Sequence, residues 1–294
     1  MGIFNGYLKE GKGIEKDVPK KKGIFLFSEI LLRKFTLLMK ANIIYFLFSI
    51  PFLAISIFIL APVIVSAFGI DALISTTQTP EVVEMMTNFI IGTAVFNFFG
   101  SGPAGASYAY VCRCFTRSEH TWVWSDGWDK FKENFKNSIL LAITDILVIF
   151  VLMTAIRFYS GNMFEVTGPL QGTYSVLQYV IYFVFAFYML MHIFAYQIMV
   201  TYETTFKNLI KNSFIFTVVK LPACIILFVI TAIFYVAIAN NLGILFFIVY
   251  AVFGMSLTRF PFEFYASRVI LKNIETVNRN AGQTQQTNVG ETEE

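Results

Sequence analysis

FKENFKNSILLAITDILVIFVLMTAIRFY, residues 131–159, opens with lysines and aromatic rings, then runs from Ser138 to Ile156 with a single charge, Asp145. At 1.5 Å per residue such a run crosses about 30 Å of hydrocarbon as a helix. A helix is also what lipid demands, because it pairs every interior backbone N–H and C=O within itself.

The same pattern recurs along the chain. Apolar runs fall within 41–70, 89–112, 176–201, 214–239 and 243–260, giving six with the one at 138–159. Of the 294 residues, 56% are hydrophobic and 14% charged, and Phe alone supplies 34. That is too much apolar surface for a water-soluble core to hide. The pattern predicts an all-α polytopic membrane protein with six transmembrane helices arranged as three hairpins. The first apolar run is too long for the h-region of a signal peptide. Pro51 and Pro62 predict a bend in the first span.

Three regions follow. Residues 1–40 read as a cytoplasmic basic leader and an amphipathic interfacial helix, because Glu29, Arg33, Thr36 and Lys40 recur at helical spacing on one face. Residues 41–272 form the six-helix transmembrane domain. Residues 273–294 are polar, rich in Gln, Thr and Asn, and predict a disordered tail.

Orientation comes from the cations. Lys and Arg crowd the leader, the segment after span two, the segment after span four and the C-terminal region beginning at Arg259. The intervening loops, 71–88 and 160–175, hold neither, but contain Asp71, Glu81, Glu84 and Glu165. The positive-inside rule then predicts both termini in the cytoplasm. The net charge of +3 has this topological explanation, so it gives no argument for nucleic acid.

A short motif precedes three spans: Phe131-Lys132-x-x-x-Lys136-Asn137-Ser138, Phe206-Lys207-x-x-x-Lys211-Asn212-Ser213, and the weaker Phe35-x-x-x-x-Lys40-Ala41-Asn42. It reads either as a structural repeat or as the aromatic-plus-lysine signature of any helix entering from the cytoplasm. Trp122, Trp124 and Trp128 stand beside the first copy, with Ser125 and Asp126 placed to cap a helix. Together with Lys132, Lys136, Lys207 and Lys211 they form a candidate cytoplasmic surface, either a membrane anchor or a docking face.

Gly100-Ser101-Gly102-Pro103-Ala104-Gly105 matches a dinucleotide-binding fingerprint in letters only, since it lies in an apolar run rather than after a strand. Gly100, Gly102, Pro103 and Gly105 instead predict close helix packing or a break in the helix. Asp145 and His192 lie about 10 and 13 Å along their helices from the cytoplasmic ends, so they can meet at similar depth. An intramembrane carboxylate is costly and is a candidate site. The pair reads as a proton-linked or ion site, or as a polar clasp between helices; Asn97 reads as interhelical glue. No catalytic constellation, metal set or cofactor motif appears, and Cys112, Cys114 and Cys224 lack zinc-site spacing. The chain is read as a non-enzyme.

Gly102-Pro103-Ala104-Gly105-Ala106-Ser107-Tyr108-Ala109-Tyr110-Val111, followed by Trp124-Ser125-Asp126-Gly127-Trp128-x-x-Phe131-Lys132-Glu133-Asn134-Phe135-Lys136-Asn137-Ser138, resembles the YesL-like family of bacterial membrane proteins. The opening Met1-Gly2-Ile3-Phe4-Asn5 is similar as well. The long basic leader and the longer 71–88 loop depart from that pattern. The resemblance implies a bacterial cytoplasmic membrane location and an accessory role beside carbohydrate ABC importer permease or sensor subunits, with no active site to carry over. The alternative is a small-solute or ion-coupled transporter.

Overall fold

The structure is a computed structural model that describes residues 23–70, 79–99, 102–160, 170–242 and 245–290. Most of the basic leader, Gly100, Asp71, Glu165, Gly243 and the closing residues 291–294 lie outside the described residues. Among those described, every element is helical and there is no strand. In chain order they are α1 Ile24–Arg33, α2 Phe35–Ala67, α3 Pro80–Phe99, α4 Pro103–Arg117, α5 Ser125–Glu133, α6 Phe135–Tyr159, α7 Leu170–Thr201, α8 Phe206–Val219 and α9 Leu221–Leu242. The last, α10, begins at Leu245–Val249, passes through a π turn at Tyr250–Gly254 and continues as Met255–Gly290.

Five of these are long and apolar enough to cross a membrane: Phe35–Ala67, Pro80–Phe99, Phe135–Tyr159, Gln171–Thr201 and Leu221–Ala239. The sixth predicted run falls within α10 and is not one of the five. Helix α7 is central. Residues 190–200 are all buried, and the helix packs against α3, α4, α6, α8, α9 and α10. Elsewhere the spans keep broad apolar faces exposed, such as Ile143, Leu147 and Phe150 on α6, as expected where lipid is the solvent.

Several boundaries differ from the sequence pattern. The amphipathic segment 24–40 is two helices, because Lys34 (φ −103°, ψ 13°) breaks it. The break lets Ile30 bury completely and brings Phe27 to 5.4 Å from Phe260 and 5.3 Å from Phe264, ring centre to ring centre. The run 89–112 is likewise two helices. Gly102 takes a positive φ of 56°, and Pro103, which has no N–H to lose, starts α4. Thr79-Pro80 does begin a helix, but it is α3 itself rather than a short loop helix. The backbone of α10 stays helical to Gly290 where composition predicts disorder. A helix already nucleated extends by one bond per residue without a new nucleus. The shared lysine motif does not place the interruptions: Lys34, Asn134 and Lys220 stand at different offsets from Asn42, Ser138 and Ser213.

Helix α2 carries a π turn at Ser56–Leu60, just ahead of Pro62, while Pro51 lies within the regular helix before it. Such a turn loosens the regular ladder, and α3 meets it closely. Ser56 Oγ donates to the Gly92 carbonyl at 2.6 Å. A Cβ on Gly92 would lie 2.6 Å from the Ile57 Cα. Gly92→Ala therefore forces the two helices apart and should cost about 1–3 kcal/mol, read as a lower thermal midpoint in detergent. Gly172→Ala, where a Cβ meets nothing within 4 Å, should leave the midpoint unchanged or raise it. Equal midpoints for Gly92→Ala and the parent would refute the close contact.

Candidate functional site

Two buried polar groups sit on α7 and the helices around it. The first gathers at the break between α3 and α4. Helix α3 ends at Phe99, so its last carbonyls lack intrahelical donors. Arg259 of α10 supplies them: its NH1 donates to the Asn97 carbonyl at 2.7 Å and reaches the Phe98 carbonyl at 3.4 Å. A cation at a helix C-terminus also matches the helix dipole. The guanidinium charge is matched by Glu263 one turn on, Nε to Oε1 at 2.9 Å, with both residues at most 2% exposed. Gln197 of α7 donates 2.8 Å bonds to Glu263 Oε2 and to the Ala109 carbonyl of α4. Asn97 donates from its side chain to Thr258.

Tyr196 closes the other side of the break. Its hydroxyl accepts from the Gly102 N–H at 3.1 Å, and its ring lies 5.1 Å from the Arg259 guanidinium carbon. Gly105 faces that ring so closely that a Cβ would stand 2.8 Å from Tyr196 Cε1. The glycine segment thus has both predicted properties, a break and a close approach. Arg259, counted in sequence among the cations of the C-terminal region, is instead buried and paired with Glu263. Its spacing to Glu263, four residues apart in an apolar context, was the available signal.

The second group joins α6 and α7. Asp145 Oδ1 accepts from Tyr188 Oη at 2.6 Å and lies 2.8 Å from His192 Nε2. His192 Nδ1 lies 3.0 Å from the Tyr188 carbonyl. That carbonyl can only accept, so Nδ1 carries a hydrogen. Tyr188, His192 and Tyr196 recur every fourth residue and so share one stripe of α7. A cavity of about 40 Å³ borders Asp145, with Ser56, Phe96 and Phe99 in its wall. It has room for a water or a few. Asp145 and His192 are therefore together, while Asn97 belongs to the Arg259 group.

The residues of the predicted cytoplasmic surface lie around α5 and at the starts of α6 and α8. Asn137 Nδ2 donates to the Thr204 carbonyl at 3.3 Å, tying the start of α6 to the segment before α8. Lys132 and Lys136 on one side, and Lys207 and Lys211 on the other, are exposed. Trp122, Trp124 and Trp128 are 68%, 59% and 42% exposed. Trp124, Trp128 and Phe131 each pack within 5.7 Å of the Phe48 ring of α2. The expected cap differs: Asp126 reaches back to the Trp122 N–H at 2.9 Å and takes the Thr121 hydroxyl at 3.0 Å. Nearby, Arg113 NH1 donates to the Val200 carbonyl at 2.5 Å, near the end of α7. Burial, and then the Arg113 charge, lower the pKa of Arg117, which still stays a cation at neutral pH.

Comparison with family models, curated proteins and solved structures finds no match to the chain.

The two buried groups differ in what their loss costs. Glu263→Leu leaves the Arg259 charge without a counter-charge and should destabilise by about 3–5 kcal/mol. Glu263→Gln, which keeps one acceptor for Arg259 but turns a donor toward Gln197 and loses the charge, should cost less than Glu263→Leu. Asp145→Ala strands His192 and Tyr188 and should cost about 1–3 kcal/mol, with Asp145→Asn milder. Thermal unfolding in one detergent ranks all four. A Glu263→Leu protein as stable as its parent would disprove the role of the ion pair.

Proposed function

We propose that this chain is a six-span protein of the bacterial cytoplasmic membrane that works, without catalysis, as an accessory subunit beside a carbohydrate ABC importer or its sensor. The observation that carries the reading is the division of its polar groups. The buried charges are matched to one another, Arg259 to Glu263 and Asp145 to His192. Lys132, Lys136, Lys207, Lys211 and Trp122, Trp124 and Trp128 are exposed, and Asn137 links the start of α6 to the segment before α8. A matched interior suits a scaffold, and an outward basic-aromatic rim suits contact with a partner at the membrane surface. The resemblance to the YesL-like family supports the same role.

The sixth crossing is assigned to α10. From Leu245 to Ala266 it would extend about 33 Å, and the charges within that length neutralise each other as a pair, which lowers the cost of placing them in lipid. Both termini then fall on the cytoplasmic side, in line with the lysine and arginine distribution. A membrane-impermeant maleimide should label Glu165→Cys on intact cells and His120→Cys only after permeabilisation; the reverse pattern would overturn the orientation. Capture in mild detergent should recover ABC permease or sensor subunits. Lys207→Glu with Lys211→Glu should cut that recovery several-fold without lowering the thermal midpoint. Recovery of the chain alone across detergents and crosslinkers would overturn the accessory role.

A second reading, a small-solute or ion-coupled transporter, rests on the buried Asp145–His192 hydrogen bond and the cavity beside it. Proteoliposomes containing only this chain should then show proton-coupled flux that Asp145→Asn abolishes. Absence of flux over a broad sugar and ion panel would remove that reading.

A further inference from the structure

A groove of about 640 Å³ lies between the start of α2 and the loop joining α4 to α5. Among the described residues its cations are Lys34 and Lys40, with His120, Trp122 and Trp124 also in its wall, and Glu119 is its one carboxylate. Lys34 Nζ sits 5.8 Å from the centre of the Phe115 ring. Neighbouring surface cations are engaged: Arg33 pairs with Glu29, Lys130 with Glu133 and Lys132 with Asp129. Among the described residues neither Lys34 nor Lys40 has such a carboxylate partner. The groove thus presents two unpaired ammonium groups against one acid.

Its position selects the ligand. Lys40 is the last cation before the uncharged length of α2. Directly beyond it, Ile43 belongs to the groove wall and begins an exposed apolar stripe that continues through Leu47 and Ile50, all about half exposed. These positions recur at helical spacing, so a chain lying against Ile43 runs on along one face of α2. Exposed tryptophans beside the lysines belong at the level of lipid headgroups. Ammonium groups above, indoles around and an aliphatic track below match one molecule, an anionic glycerophospholipid. A free phosphate would use the lysines but not the stripe.

We infer that this groove binds the headgroup of an anionic phospholipid, of the phosphatidylglycerol class, with its phosphate between Lys34 and Lys40 and an acyl chain along Ile43, Leu47 and Ile50. The leaflet rests on the topology proposed above, but the lipid preference does not: vesicles with lipid in both leaflets report it either way.

The only tryptophans of the chain are Trp122, Trp124 and Trp128, two of them in the groove, so indole emission reads the site without a label. The full chain is reconstituted into phosphatidylcholine vesicles holding a minor fraction of brominated phosphatidylglycerol or of brominated phosphatidylcholine. The brominated anionic lipid should quench more strongly. K34Q/K40Q should remove the difference, each lysine being worth about fivefold in occupancy, while K207Q/K211Q should keep it. Equal quenching by both lipids on the parent chain overturns the inference even if K34Q/K40Q fails to fold. A preference that survives K34Q/K40Q, or that K207Q/K211Q removes equally, overturns it too. So does an emission change of the same size from glycerol phosphate in phosphatidylcholine vesicles, which would assign the groove to a soluble anion.

Discussion

A helix interrupted where water cannot reach leaves carbonyls with no donor, and this fold is organised around satisfying them. The break at Gly102 between α3 and α4 exposes the end of α3, and Arg259 covers it. A guanidinium there would be too costly alone in a low-dielectric interior. Glu263 neutralises it, Gln197 holds Glu263, and the Ala109 carbonyl holds Gln197. One interruption thus ties together α3, α4, α7 and α10. Tyr196 completes the enclosure by accepting the Gly102 N–H, and Gly105 is small enough to let that ring lie on α4.

The same requirement explains the other irregular places. The π turn of α10 loosens its ladder at Ala251 and Ser256, and the Asn42 side chain repairs both: Nδ2 donates to the Ala251 carbonyl and Oδ1 accepts from the Ser256 N–H, each at 2.6 Å. The π turn of α2 lets Ser56 reach across to α3. Asp145 and His192 follow a related rule for charge. A carboxyl and an imidazole that hydrogen-bond to each other can lie in the bundle and join α6 to α7. Helix α7 takes part in both polar groups, which accounts for the burial of its second half.

The surface has the opposite logic. Long apolar faces on α2, α6, α7 and α9 are left to lipid, and the cations and indoles collect at one rim. There the aromatic side chains do two jobs. Phe48 of α2 gathers Trp124, Trp128 and Phe131, fixing α5 against α2, while both indoles stay largely exposed.

Hydropathy and charge spacing were enough to determine that the chain is helical, that it has several helices apolar and long enough to cross a membrane, and roughly where four of them lie; the second falls at 80–99 rather than within 89–112. Those properties follow from local composition, since lipid accepts only runs of a certain length and polarity. Depth along two helices also brought Asp145 and His192 into register. Tertiary structure alone decided the rest. Arg259 looks like any juxtamembrane cation in sequence, and its partners, the Asn97 and Phe98 carbonyls, are backbone groups that leave no mark in a one-dimensional string. Lys34 breaks a pattern that reads as one amphipathic helix, because burying Ile30 against the bundle outweighs an unbroken ladder. Tyr188, Tyr196 and Gln197 have the spacing of an ordinary apolar face; their roles exist only once α4, α6 and α10 close around α7, since a hydrogen bond depends on separation in space and not along the chain.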